Sequence, residues 1–210
     1  MDADFWLARW KKREIGFHQV EINRFLKQYW STLELTRDRT VFVPLCGKSK
    51  DILWLSEQGH HVLGVELSEA AVQEFFEEWE VPPKVDQKGS FTCYSGKNVE
   101  LLVGDCFALT AEDLREVAGV YDRAALVALP PDMRRHYVDL LAELLPVKAQ
   151  TLLITFEYRP GALKGPPFSI DIEAVKKLFE GQCVMTMLDS QPFDFRGVDA
   201  IEHTFRLSYL

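Results

Sequence analysis

The chain has 210 residues, 47% apolar and 27% charged, the proportions of a soluble globular domain long enough to bury its own core. Its formal charge of −8, from 24 basic against 32 acidic residues, has the wrong sign for a chain that binds nucleic-acid phosphates. Cys46, Cys93, Cys106 and Cys183 form no C-x-x-C pair, which argues against a zinc site or a disulfide framework and for buried thiols in a reducing cytosol.

The N-terminal MDADFWLARWKK carries no long apolar core. No stretch approaches the ~20 apolar residues of a membrane span. The expectation is therefore a cytoplasmic protein without a membrane or nucleic-acid partner. Residues 3–14 read as a helix, with Phe5, Trp6 and Trp10 three to five apart and Asp2 or Asp4 available as a cap. Its basic run, RWKKR at Arg9–Arg13, reads as a solvated helix face. After a break at Ile15-Gly16-Phe17-His18, a second helix is expected over roughly Asn23–Tyr29. Residues 1–35 together read as a helical cover.

From Thr40 the period changes. Thr40–Leu45 is a continuous apolar strand, as in a sheet covered on both faces. Lys50–Gln58 reads as a helix closed by Gly59, His61–Glu66 as the next strand, and Ser68 as the cap of a helix carrying Phe75, Phe76 and Trp79. Glu80–Ser90, with Pro82-Pro83 and few apolar residues, reads as a loop. Phe91–Tyr94 and Val99–Val103 read as a strand pair around Ser95-Gly96-Lys97-Asn98. A short helix is expected at Glu112–Glu116 and a strand at Tyr121–Leu129. Pro130-Pro131 opens a helix to about Leu145, since proline suits the first helical turn. Gln150–Glu157 is a buried strand, Arg159–Phe168 a loop and Ile172–Phe179 a helix. Val184–Leu188 and Ile201–Tyr209 are expected as an antiparallel edge pair, with Gln191–Asp199 a loop between them. The alternation predicts one α/β domain over 1–210, with a doubly wound, mostly parallel sheet.

In such sheets ligands bind beyond the carboxyl ends of the strands, where strand order reverses. The expected ends are Leu45-Cys46-Gly47, Glu66 and Gly104-Asp105-Cys106-Phe107, with Asp122-Arg123 near the start or middle of the fourth strand. Glu66 follows Gly47 by 19 residues, the interval at which an acid on the second strand accepts ribose hydroxyls. The alternative reading makes it a surface acid capping the next helix. The single glycine of Pro44-Leu45-Cys46-Gly47 argues against a pyrophosphate, which needs several close backbone approaches. A phosphate-free nucleoside ligand such as S-adenosylmethionine suits the turn better. Asp105 and its neighbours are then placed to read adenine.

The run PLCGKSKDILWLSEQGHHVLGVELSEAAVQEFF resembles the thiopurine S-methyltransferase family. So do FWLARWKKREIGFHQVEIN, YDRAALVALP and GPPFSI, so that the resemblance spans essentially the whole chain. It implies a Rossmann-like class I methyltransferase fold with an N-terminal helical cover, a monomer, and transfer of a methyl group from S-adenosyl-L-methionine to an aromatic or heterocyclic thiol. It carries cofactor contacts onto Trp10, Leu45, Glu66 and Arg123, and less securely onto Asp105 and Cys106. It also places Phe17 and Arg196 at the substrate, with His18 nearby, and no metal. Arg123 and Arg196 are the candidates to favour a thiolate, as a nearby cation does. Arg196 is equally readable as a solvated loop residue, Trp10 as a core aromatic, and Lys48 as facing solvent or capping the turn. The alternative acceptor is a selenium or tellurium compound. The sequence lacks the N/D-P-P-Y/F motif of nucleic-acid methyltransferases, having VALPP instead, and lacks the multi-glycine turn of nicotinamide enzymes.

Overall fold

A computed structural model describes residues 3–16 and 18–210. Asp2 and Phe17 lie outside those residues. Helix α1 (Ala3–Lys11) is shorter than the expected 3–14 and places Asp4 in its first turn, where an acid complements the helix dipole. Helix α2 (Arg24–Tyr29) starts where the Asn23 side chain accepts from the Phe25 and Leu26 N–H groups, satisfying two otherwise orphaned donors. A 3-10 turn, Trp30–Leu33, extends it.

Strand β1 (Thr40–Val43) stops short of the expected Leu45, because Leu45 adopts a left-handed φ of 46° that no strand continues. Helix α3 (Asp51–Glu57), strand β2 (His61–Glu66) and helix α4 (Glu69–Glu78) follow. Ser68 caps α4 by accepting from the Ala71 N–H. The expected Glu80–Ser90 loop contains strand β3 (Lys84–Lys88), exposed along its length and paired antiparallel with β4 (Phe91–Gly96). A charged edge strand needs no apolar pattern, which is why it is hard to read. Strand β5 (Val99–Val103) and helix α5 (Ala111–Leu114) come next.

Strand β6 (Val117–Arg123) lies four residues earlier at its start than the expected Tyr121–Leu129. The apolar Leu126–Ala128 is a 3-10 turn instead. Ala124 takes a left-handed φ of 68°, and the buried Asp122 carboxylate accepts from the Leu126 N–H at 3.1 Å, so the chain turns out of the sheet. Helix α6 (Pro131–Leu144), strand β7 (Gln150–Tyr158) and helix α7 (Ile172–Phe179) match expectation closely. Strands β8 (Cys183–Phe195) and β9 (Val198–Tyr209) are much longer than expected. The expected Gln191–Asp199 loop is the closed end of their hairpin, with Asp194 opposite Asp199 and Phe195 opposite Val198. Arg196 and Gly197 turn it with φ of 57° and 78°, the pair of positive angles that two-residue hairpins require.

The nine strands form one sheet in the order β3-β4-β5-β2-β1-β6-β7-β9-β8. Strands β5, β2, β1, β6 and β7 pair in parallel, and both edges are antiparallel. The winding reverses between β1 and β6, which opens the crevice there. Alternate residues of each central strand pack on opposite faces. Val41, Leu101 and Leu152 join Phe25, Trp30 and Phe76, whereas Phe42, Leu102 and Leu153 join Tyr137, Val175 and Phe205. The segment after α1 is tied to the first of these faces. Trp30 Nε1 donates to His60 Nε2 at 3.0 Å, and Arg206 donates to the Thr32 carbonyl.

Candidate active site

The crevice is a cavity of about 380 Å³, within the usual range for small-molecule sites. Its floor is made of strand tips. Leu45 follows β1, Glu66 ends β2, Gly104–Phe107 follow β5, and Arg123 ends β6. Arg123 therefore lies at a carboxyl end, not near the start or middle of its strand as the sequence suggested. Its rim comes from three other places: Trp6, Arg9 and Trp10 of α1, the 163–167 loop, and Phe195-Arg196 at the β8–β9 turn. Trp10, Leu45, Glu66, Asp105, Cys106, Arg123 and Arg196 thus border one space. Phe17 lies outside the described residues.

Glu66 is buried, and each of its carboxylate oxygens already accepts a backbone N–H. Gly47 donates to Oε2 at 2.9 Å and Ser68 to Oε1 at 2.8 Å. Burial pushes its pKa up, and the N–H groups of Ser68, Gly47 and Leu67 oppose the shift. A carboxylate has about four acceptor sites, so capacity remains for two donors from the cavity. The capping reading holds in part: Glu66 does brace the start of α4, but it is buried at the cavity rather than on the surface. The turn before it is strained at Leu45, a residue type that occupies the left-handed region at a cost of roughly 1–2 kcal/mol. Gly47 is also left-handed, at φ 54°, and a Cβ there would stand 3.2 Å from the Trp10 ring. Trp10 is buried against that turn, between the cover and the sheet.

This arrangement discriminates between ligands. A phosphate at the turn would need the Gly47 N–H, which Glu66 occupies, and would meet a carboxylate. A nucleoside without phosphate would instead find acceptors for its hydroxyls. Beyond the end of β5, Asp105 spends one oxygen on the Phe107 N–H at 3.0 Å, and the Cys106 thiol is buried and strongly pushed up by desolvation. Cys106 is therefore an inert wall and not a nucleophile.

A smaller polar chamber adjoins the cavity. It shares Trp10, Gln19, Leu45, Arg123 and Ala124 with it, and His18, Gly47, Lys48, Asp51 and Tyr121 are among those it adds. His18 is half-buried, and its pKa is lowered by burial and then by Lys48, with Glu78 opposing. Lys48 departs from the sequence reading: it is 8% exposed, bonded to Glu78 at 2.5 Å and Glu74 at 3.0 Å. Burial disfavours its charge, yet those two hydrogen bonds more than offset this and raise its pKa. Glu74 also accepts Arg13 at 2.7 Å, joining the end of α1 to α4. Two acids four apart on one helix face, Glu74 and Glu78, were the available signal for this cluster.

Arg196 is exposed. Its guanidinium stacks on Phe195, 5.1 Å from the ring centroid, and a Cβ on Gly16 would lie 2.4 Å from Nη2. The hairpin tip therefore meets the cover. Phe195 and Phe156 stack with centroids 5.9 Å apart, and both line the cavity. The sequence reading of 191–199 as a loop does not show this aromatic wall, because it forms only when β8 and β9 pair. The opposite rim is pinned from behind: Arg134, buried, donates to the Leu129 carbonyl at 2.9 Å, and Tyr158 donates to the Pro167 carbonyl at 2.8 Å. Among the described residues no group of acids, histidines and cysteines is placed to hold a metal ion, and no helix is long and apolar enough to cross a membrane.

The family model for thiopurine S-methyltransferase matches residues 1–204. A thiopurine S-methyltransferase of Pseudomonas syringae pv. pisi is 48% identical over 191 residues, covering 91% of this chain and 88% of its own. That of Pseudomonas entomophila is 45% identical over 215 residues, covering 99% and 100%. Among solved structures, a SAM-dependent methyltransferase from Methanosarcina mazei superposes with a TM-score of 0.67 at 14% identity, over 91% of this chain and 99% of the other. The 1,6-didemethyltoxoflavin-N1-methyltransferase of Burkholderia thailandensis, solved with S-adenosylhomocysteine, gives 0.62 at 19% identity, over 98% and 86%. These structures share the class I methyltransferase fold. With sequence relatives of that identity across nearly its full length, the chain belongs to the thiopurine S-methyltransferase family.

Proposed function

We propose that this protein transfers the methyl group of S-adenosyl-L-methionine to an aromatic or heterocyclic thiol such as a thiopurine. The observation that carries the reading is the buried Glu66 carboxylate at the tip of β2, beside a cavity with an aromatic wall, in a chain of this family. S-adenosylmethionine supplies a methyl group on a sulfonium, electrophilic as it stands. Glu66 accepts the ribose hydroxyls, Asp105 and Cys106 border the adenine, and Trp10 and Leu45 enclose the methionine end. Phe156 and Phe195 offer a flat aromatic acceptor two faces to pack on. Phe17 belongs to the same acceptor site in this reading.

A heteroaromatic thiol is already acidic, so the transfer needs no strong base at the site. Arg123 and Arg196 favour the thiolate through their charge. Water is kept out by Trp6, Trp10 and the 163–167 loop, which suits a step in which a cation and an anion become neutral products. Holding the two sulfurs and the methyl carbon in line is the main task, worth up to ~7–11 kcal/mol. We further propose that the chain works as a cytoplasmic monomer, one domain with residues 1–35 as a helical lid, and acts on small molecules rather than nucleic acid.

The test is turnover. Incubation with S-adenosylmethionine and 6-mercaptopurine is expected to give the S-methyl product with S-adenosylhomocysteine. Turnover of tellurite or selenite without turnover of the thiol would replace the acceptor, and methylation of neither would overturn the reading.

A further inference from the structure

Asp51 is 2% exposed at the start of α3 and takes donors from three separate parts of the chain. The Asn23 N–H, where the N-terminal segment enters α2, donates to Oδ1 at 2.8 Å. The Tyr121 hydroxyl, on β6, donates to Oδ2 at 2.9 Å. Arg123 Nε approaches the same oxygen at 3.8 Å, with both side chains under a tenth exposed. Arg123 borders both chambers of the site. Its other charged neighbours are Glu202 on β9, itself 3.6 Å from Arg24, and His18, with Lys48 beyond it. Asp51 forms a buried ion pair with Arg123.

We propose that Asp51 is a positioning residue for the methyl transfer. It fixes the edge of the Arg123 guanidinium that carries Nε, so that the terminal nitrogens are presented to the site. A carboxylate does this where a neutral amide cannot, because a buried guanidinium needs a counter-charge as well as an acceptor. The inference rests on the reading that Arg123 serves the transfer. It adds that the alignment of Arg123 is set from behind by a residue that touches neither substrate.

A double-mutant cycle tests this. Asp51→Asn is expected to lower kcat/KM for 6-mercaptopurine by about 10- to 100-fold, through loss of the buried counter-charge facing Arg123. Arg123→Met is expected to lower it at least as far. If Asp51 acts through Arg123, the double variant is no worse than Arg123→Met alone; a merely structural role would multiply the two losses and overturn the proposal. So would Asp51→Asn activity within twofold of the parent. Should Asp51→Asn fail to fold, Asp51→Glu and Tyr121→Phe carry the cycle, each keeping the charge while disturbing its placement, and each is expected to lose activity only when Arg123 is present. The same cycle on the Kd of S-adenosylhomocysteine, by calorimetry, needs no acceptor. A chain inactive on thiols would thus overturn the proposed function while leaving the cycle readable; a Kd indifferent to both single substitutions would then overturn the role of Asp51.

Discussion

The floor and the rim of the cavity are built on different principles. The floor is made of strand tips in a parallel sheet, and its key groups are wired to the backbone: Glu66 to Gly47 and Ser68, Asp122 to Leu126. The rim is assembled from α1, the 163–167 loop and a hairpin turn, and its cations Arg9, Lys164 and Arg196 are partly or fully exposed. Buried hydrogen bonds to charged groups are worth more than solvated contacts. The floor should therefore hold its geometry with or without ligand, and substitutions there should change both stability and cofactor affinity. Substitutions of the exposed rim cations should change turnover alone.

The largest expected effect lies beneath the floor. Asp122 is buried against Tyr137 and Leu126, and desolvation raises its carboxyl to about 6, despite those donors. Its folded pKa lies above the unfolded value of 3.8, so the neutral form is the favoured native form. The stabilisation is present below pH 4 and lost as pH rises through 6, by up to about 3 kcal/mol. In Asp122→Asn, thermal melts across pH 4–7 should lack that component. An unchanged pH profile would show that the floor does not bear this cost.

Next comes Glu66→Ala, which strands two backbone N–H groups and the ribose hydroxyls assigned to it. Affinity for S-adenosylmethionine should fall by at least about 1–3 kcal/mol. Unchanged affinity in titration calorimetry would move the ribose elsewhere and blur the distinction between floor and rim. The smallest effect belongs to Arg196→Ala. Its kcat/KM should fall by about tenfold at most, with cofactor affinity and melting temperature unaltered. A drop of several degrees on melting would mean the hairpin tip is structural after all.

Much of the floor is legible in the chain. PLCGKS and GVELSE announce a turn and an acid at a fixed interval, because the strand–turn–helix unit is local and its spacing is set by strand and helix lengths. Tyr121–Leu129 was displaced because an apolar run does not say where a strand ends. That was decided by Asp122 accepting the Leu126 N–H and by a left-handed Ala124. Strand β3 escaped because a solvated edge carries no periodic signal. Residues 191–199 escaped because Arg196-Gly197 looks like any polar loop until its neighbours pair.

By itself, then, the sequence determined the strand–helix alternation, the covered parallel sheet and the acid at the tip of β2, since each depends on residues close together in the chain. The tertiary structure alone decided that Lys48 is buried between Glu74 and Glu78, that Arg196 reaches Gly16, and that Asp51 gathers Asn23, Tyr121 and Arg123. Those contacts join residues as far apart as Gly16 and Arg196. A charge finds its partner only when the fold has removed the water between them.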